Sequence, residues 1–420
     1  MSSQDDLLGR DRRVLWHPYT QHGLNEEPLA VVGAQGSKLR LADGSEVIDA
    51  ISSWWTCLHG HAHPRLLEAM QRQAATLDHV LFAGCTHEAA VALAEKLVEI
   101  TPERLTRVFF SDNGSTAVEV ALKMVAQRWV HLGESQRQVF VALEGGYHGD
   151  TFGAMSVGMR DPLFAAFEPW LFEVRQVPAR APDLAAALAE LGDRAAAVIL
   201  EPLVQGAAGM AMHDEAFVRA VREHCDRHGI PMIADEVMTG FGRTGSLFAC
   251  QRAEVSPDLM CLSKGLTGGV FPLAVTLASE QTFGAFLSED PGRTFFHGHT
   301  FTAHPIGCAA AQASIDLCAE DGVVDRLDAI GARIEAGLGS ARDDDGIADL
   351  RRTGNVVALE LCAERRDYLS DRLRSARRRS IEKGVLLRPL GNVVYALPPV
   401  CVTDEECDRI VDAMLHVIRD

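Results

Sequence analysis

Six short apolar runs, near residues 107–110, 138–143, 172–177, 196–201, 230–234 and 258–263, alternate with helical runs near 115–131, 182–191 and 214–228. No other feature of the chain constrains its fold as strongly. Apolar strands alternating with helices predict an α/β architecture with a mostly parallel central sheet covered on both faces. Beyond about residue 320 the pattern changes. Residues 353–361 and 385–397 read as strands flanking a charged helix from about Arg366 to Lys383. Thr403-Asp404-Glu405-Glu406 then has the Ser/Thr-x-x-Glu spacing that satisfies free N–H groups at the start of a final helix. A chain of 420 residues, 47% hydrophobic, exceeds one compact core. The expected division is a large domain over 55–320 and a smaller α+β domain built from 1–54 and 321–420.

Charge and leader signals exclude several functions. With 40 basic against 58 acidic residues, the net charge of −18 is the wrong sign for a phosphate backbone, so no nucleic-acid partner is expected. The basic run at 374–379 reads as a solvated helix face. The first six residues contain no apolar core of a signal peptide and no stretch reaches membrane-spanning length, which points to the cytoplasm and away from a membrane. Ten cysteines without a CxxC pair read as reduced, packed thiols. His59-Gly60-His61-Ala62-His63 stands before Pro64, which opens an amphipathic run through Leu66, Leu67, Met70, Ala74 and Leu77. The tract therefore reads as a loop leading into a helix, and no metal is expected there.

Four segments carry chemistry. The apolar run from Asp258 delivers Lys264 into the small-residue turn Gly265-Leu266-Thr267-Gly268-Gly269. A lysine desolvated there can lose its proton near neutral pH and act as a Schiff-base nucleophile toward an aldehyde cofactor, for which pyridoxal phosphate is the candidate. A second apolar run, 230–234, ends in Asp235 and Glu236. A carboxylate at a strand's C-terminal end can keep a pyridinium nitrogen protonated, and Asp235 takes that role while Glu236 fits solvation. Between the run 107–110 and the following helix lies Ser111-Asp112-Asn113-Gly114-Ser115-Thr116. Free N–H groups at the helix start suit a phosphate, with a Ser115 or Thr116 hydroxyl added; a plain helix cap is the alternative. The turn Glu144-Gly145-Gly146-Tyr147-His148-Gly149 follows the run 138–143, and Tyr147 can stack on a planar ring.

Together and in this order, with the stretches 195–206 and 234–245, these segments resemble the class III aminotransferases, pyridoxal-phosphate transferases of fold type I. The likeness runs from about residue 15 to the C-terminus. It implies that Gly114 and Ser115 hold the cofactor phosphate, that Tyr147 stacks on its ring, that Asp235 meets the ring nitrogen and that Lys264 forms the Schiff base. It implies also that Thr300, with His299 beside it, reaches the phosphate from a neighbouring subunit, hence a homodimer with shared active sites. The segments 16–20, 52–55, 146–157 and 387–391 are similar to members whose acceptor is an amino-oxo fatty acid. Tyr19, Trp54, Tyr147, Lys264, Gly298 and Arg388 match that group's substrate-contacting positions, Arg388 facing the acceptor's carboxylate. Typical members have Pro before the phosphate threonine, where this chain has His299. That departure bears on the amino donor. An ω-amino acid or polyamine transaminase would keep the cofactor residues and differ at Tyr19, Trp54 and Arg388. A non-enzymatic binder would not need Lys264 and Asp235 together.

Overall fold

The computed structural model describes residues 3–24, 27–160, 162–320, 322–362, 373 and 375–419. Its centre is a seven-stranded sheet in the order Leu105–Ser111, Ala274–Ser279, Leu259–Leu262, Met232–Asp235, Ala195–Leu200, Val139–Leu143, Val174–Val177. All neighbours are parallel except Ala274–Ser279, which is antiparallel to both strands beside it. That strand was not read from the sequence. The other six coincide with the predicted runs to within two residues. Residues 139–143, 195–200, 232–235 and 259–262 are buried along their whole length, as a sheet covered on both faces requires. The helices Gly114–His131, Ala181–Leu191 and Glu215–His228 supply the cover.

Each helix start follows from its sequence. Asn113 caps the first, accepting from Thr116 N while the Thr116 hydroxyl accepts from Asn113 N. Pro182 stands in the first turn of the second, and Asp214 accepts from Phe217 N at the third, which closes on left-handed Gly229.

The chain's two ends share a second apolar cluster, in which Ile48 and Ala50 pack with Ile330, Leu359, Val394 and Met414. The N-terminal strand Glu46–Asp49 pairs in parallel with Val385–Leu386, closing a four-stranded sheet. The predicted strand over 353–361 is instead the second half of a hairpin, Ile347–Thr353 and Val356–Leu361, turning at Gly354. Gly354 is left-handed, and a Cβ there would lie 2.2 Å from Arg243 O, so no other residue fits without displacing backbone. The predicted strand over 385–397 splits between two sheets, Val385–Leu386 in one and Val393–Ala396 in the other. Of the helix expected from Arg366, the observed part is Ala376–Glu382; residues 366–372 and 374 lie outside the described residues. Within the basic run, Arg379 is not simply solvated, since it donates to His416 O and Val417 O at the end of the last helix. That helix, Asp404–Ile418, begins with the predicted reciprocal cap between Thr403 and Glu406. Pro64–Ala74 is the helix expected after the histidine tract, in which His59 meets Ser314 Oγ at 3.0 Å and His61 meets Asp49 at 2.9 Å.

Candidate active site

The C-terminal ends of the parallel strands open onto a cavity of about 460 Å³. Its wall includes Gly114 and Ser115 from the start of the long helix, Tyr147 from the glycine turn, Asp235 from a strand end and Lys264 from the next. Five of the predicted residues thus converge from four separate segments. Gly114 cannot be larger: a Cβ would sit 2.7 Å from Val237 Cγ1. Gly149 has φ +127° and a Cβ there would strike Ser115, while Ser115 Oγ accepts from Asp150 N at 3.1 Å. These close approaches fix the helix start against the glycine turn and leave first-turn N–H groups facing the cavity without intrahelical acceptors.

Beneath the cavity lies a buried charge network. Asp235 Oδ2 is 2.7 Å from His148 Nδ1, and Asp235 Oδ1 accepts from Val237 N at 3.1 Å. Burial works against a charge on His148, but the Asp235 hydrogen bond and charge and the Glu201 carboxylate outweigh it, raising the imidazole above its ordinary value. Its Nε2 is buried with no partner among the described residues. Glu201, at the end of its own strand, accepts from Tyr147 N and Gly206 N, each at 2.9 Å. Burial pushes this carboxyl up to about 7, with Asp235 adding to the rise and His148 opposing it. Lys264 occupies a left-handed position, φ +33°. Burial pulls its amine down to about 8, against the pull of the Asp235 and Glu201 carboxylates. An amine so placed has an appreciable neutral fraction near physiological pH, as a nucleophile needs.

One side of the site rests on an unusual turn. Ser52, Ser53, Trp54 and Trp55 all have positive φ, between 46° and 76°. A left-handed turn of L-residues costs roughly 1–2 kcal/mol for each of them. Side-chain bonds offset that cost: Ser52 Oγ donates to Leu397 O at 2.7 Å, Ser53 Oγ to Asp49 at 2.7 Å, and Trp55 Nε1 to the Tyr395 hydroxyl at 3.0 Å. The turn sends the two tryptophans to different tasks. Trp55 is buried with its ring 4.3 Å from Lys264 Nζ. Trp54 stands outside, edge-on to Tyr19 at 5.6 Å and beneath the Arg388 guanidinium at 4.5 Å.

Tyr19, Trp54 and Arg388 therefore form a second group beside the cavity, not among the residues lining it. Tyr19 links the two groups, its hydroxyl 3.3 Å from that of Tyr147 and donating to Asp150 at 2.7 Å. Burial and the neighbouring Tyr19 hydroxyl raise the Tyr147 phenol, keeping it a neutral donor. Gly298, His299 and Thr300 do not join either group; they lie in a loop in which Gly298 and Thr300 are exposed. Glu236 corrects the sequence reading: it is fully buried, not solvated, and accepts from Ala249 N, Cys250 N and Thr239 Oγ1. It secures the start of the next short helix and takes no part in the cavity. Sequence reasoning gave no role to His148, Glu201 or Trp55. Glu201 was detectable, since it ends an apolar strand as Asp235 does, and His148 adjoins Tyr147. Trp55 was not, because only the left-handed turn separates it from Trp54.

The sequence profile of the aminotransferase class-III family matches residues 19–418. The chain is 49% identical to the adenosylmethionine-8-amino-7-oxononanoate aminotransferase of Synechococcus elongatus, over 97% of this chain and 98% of that one. A crystal structure of adenosylmethionine-8-amino-7-oxononanoate aminotransferase from Methanocaldococcus jannaschii matches with a TM-score of 0.95 and 33% identity, covering 99% of each chain. An amine transaminase from an uncultivated Pseudomonas species, in a PLP-bound form, matches at 0.91 and 31% identity, covering 96% of this chain and 98% of its own.

Proposed function

The chain belongs to the class III aminotransferases, and from that premise we propose that it transfers an amino group from S-adenosylmethionine to 8-amino-7-oxononanoate, giving 7,8-diaminononanoate for biotin synthesis. It is a pyridoxal-phosphate-dependent transaminase of fold type I acting on small molecules. The observation that carries the substrate reading is the meeting of Tyr19, Trp54 and Arg388 beside the cavity, since other class III activities would differ at these positions. A guanidinium held on an aromatic face suits a carboxylate remote from the reacting carbon. Steady-state formation of diaminononanoate with adenosylmethionine and with lysine, each in turn as donor, tests the reading. No product with either donor would overturn it.

The residues fit the cofactor. Gly114 and Ser115, crowded so that only a small backbone passes, would hold its phosphate; Asp235, backed by His148, would face its ring nitrogen; Tyr147 would cover its ring. When bound, pyridoxal phosphate supplies an aldehyde for an amine and a ring that draws electrons from the bond being broken. Everything else comes from the chain. Lys264 offers a neutral amine as nucleophile and, once released, carries a proton at Nζ. Trp55 closes the side of the site beside that nitrogen and excludes water. Asp235 and His148, whose imidazole is raised above its ordinary value by that carboxylate, share a proton at the cavity floor. Arg388 orients the acceptor by its carboxylate.

The low amine value has a measurable consequence. In cofactor-free enzyme the neutral fraction of Lys264 grows as pH rises through about 8, so the rate of cofactor capture should climb with a midpoint there. A midpoint near the ordinary value of 10.5 would show that burial does not set the amine's reactivity.

Substitution of Arg388 by Ala should raise the acceptor KM by one to two powers of ten, or about 2–3 kcal/mol for a lost charge-assisted contact. The donor half-reaction, followed by cofactor absorbance, should stay nearly unchanged. Equal losses in both halves would remove the acceptor assignment.

We infer further that the enzyme is a homodimer in which Thr300, with Gly298 and His299, completes the neighbouring site. Thr300 lies outside its own chain's cavity, in a segment where Phe296 and Phe301 are exposed, as expected of a surface awaiting a partner. Dilution to monomer should release cofactor together with activity, and a fully active monomer in sedimentation would contradict the assignment. The division into 55–320 and 1–54 with 321–420 is proposed on the apolar cluster that Ile48 and Ala50 share with Ile330, Leu359, Val394 and Met414, and limited proteolysis near residue 320 checks it. A cytoplasmic location is likewise proposed, with cell fractionation as its test; among the described residues no helix is long and apolar enough to cross a membrane.

A further inference from the structure

We propose that a second cavity, at the opposite edge of the central sheet, is a binding site for a small tetrahedral oxyanion such as phosphate. It measures about 200 Å³ and lies where the strands Met232–Asp235 and Leu259–Leu262 begin, the same strands whose far ends lead to Asp235 and Lys264. Its wall contains three arginines, Arg104, Arg128 and Arg222, against two carboxylates, Asp226 and Asp258.

The carboxylates are already engaged. Arg222 Nη1 is 2.6 Å from Asp258 Oδ2 and Arg222 Nη2 is 2.9 Å from Asp226 Oδ1, while Met232 N also donates to Asp258 Oδ2 at 2.8 Å. Arg104 reaches the same pair at 3.4 Å and 3.8 Å. Arg128 has no ion pair among the described residues. Its guanidinium lies on the Trp129 ring at 4.3 Å, the residue is only 6% exposed, and Nη1 is buried without a hydrogen-bond partner. Arg222 Nε is buried and unpartnered as well. Burial lowers the Arg128 value, the strain of a cation held away from water, with Asp258 and Glu134 opposing.

A buried guanidinium with no ion pair is a costly arrangement, and two arginines that line one cavity each keep a buried N–H donor without an acceptor. A water supplies two lone pairs but no charge. An oxyanion supplies both, and planar guanidinium forks match its geometry. The single positive excess of the wall suits one small anion. The cavity is distinct from the cofactor's phosphate cradle, from which it is separated by the length of a strand.

The test uses holoenzyme, so that the cradle at Gly114 and Ser115 is filled. Thermal melts and calorimetric titrations are run with inorganic phosphate and with adenosine monophosphate, with chloride at matched ionic strength as control. Saturable stabilisation by phosphate, absent with chloride, is expected. It should weaken at least tenfold in Arg128→Gln. Because that variant alters a buried site, Gln281→Glu at the exposed rim is the second: it keeps the interior intact, sets a negative charge at the opening, and should also weaken phosphate at least tenfold. A response to phosphate alone would identify free inorganic anion as the ligand, and an equal response to the nucleotide would identify a phosphoryl group on a larger molecule. No saturable response in the parent enzyme, or an undiminished one in both variants, would overturn the proposal.

Discussion

Lys264→Ala should reduce transamination by at least about a thousandfold, since one side chain provides both the nucleophile and the mobile proton. Cofactor binding should fall much less, because Gly114, Ser115, Asp235 and Tyr147 remain in place around the cavity. The two effects separate in one experiment: absorbance after gel filtration reports retained cofactor, and a single-turnover mixing with donor reports chemistry. Turnover within tenfold of the parent would dismiss Lys264 as the reactive amine. The variant should not lose stability, for the parent's amine is held in a site that disfavours its charge.

Asp235→Asn should slow the donor half-reaction by roughly two to three powers of ten, the scale seen when one preorganised electrostatic group is removed. Two losses combine. The cavity floor no longer carries a negative charge to hold a proton on a ring nitrogen, and His148 loses its 2.7 Å partner. The second loss has its own signature. Without Asp235, burial dominates and the imidazole should titrate below its ordinary value instead of above it, a change of sign visible in the pH dependence of its ring resonances. An unchanged single-turnover rate would end the assignment of Asp235 as electronic partner, whatever His148 does.

The parallel sheet was legible because its signal is local: apolar runs with no polar alternation, separated by helices with visible caps such as Asn113 and Asp214. Four of the cavity's segments were legible for the same reason, each lying at the end of an apolar strand-like run. What escaped depends on distant chain. The antiparallel strand Ala274–Ser279 is buried throughout, and a short apolar run of that kind has no periodicity to distinguish it. Glu236 was misjudged because its acceptors' partners, the N–H groups of Ala249 and Cys250, lie more than ten residues away. The hairpin at Gly354 was read as one strand because a lone glycine gives little warning of a turn that packs against Arg243.

The left-handed turn at Ser52–Trp55 also sets a condition on when activity can appear. Two of its three fixing bonds come from Tyr395 and Leu397, 340 and 345 residues further along the chain than the residues they hold. During synthesis, this segment emerges long before those partners exist, and a turn that is costly by itself has only the Ser53–Asp49 bond to hold it. The wall beside Lys264 is thus closed by a much later stretch of polypeptide, so a nascent chain that already carries Lys264 and Asp235 still lacks the enclosure in which they work.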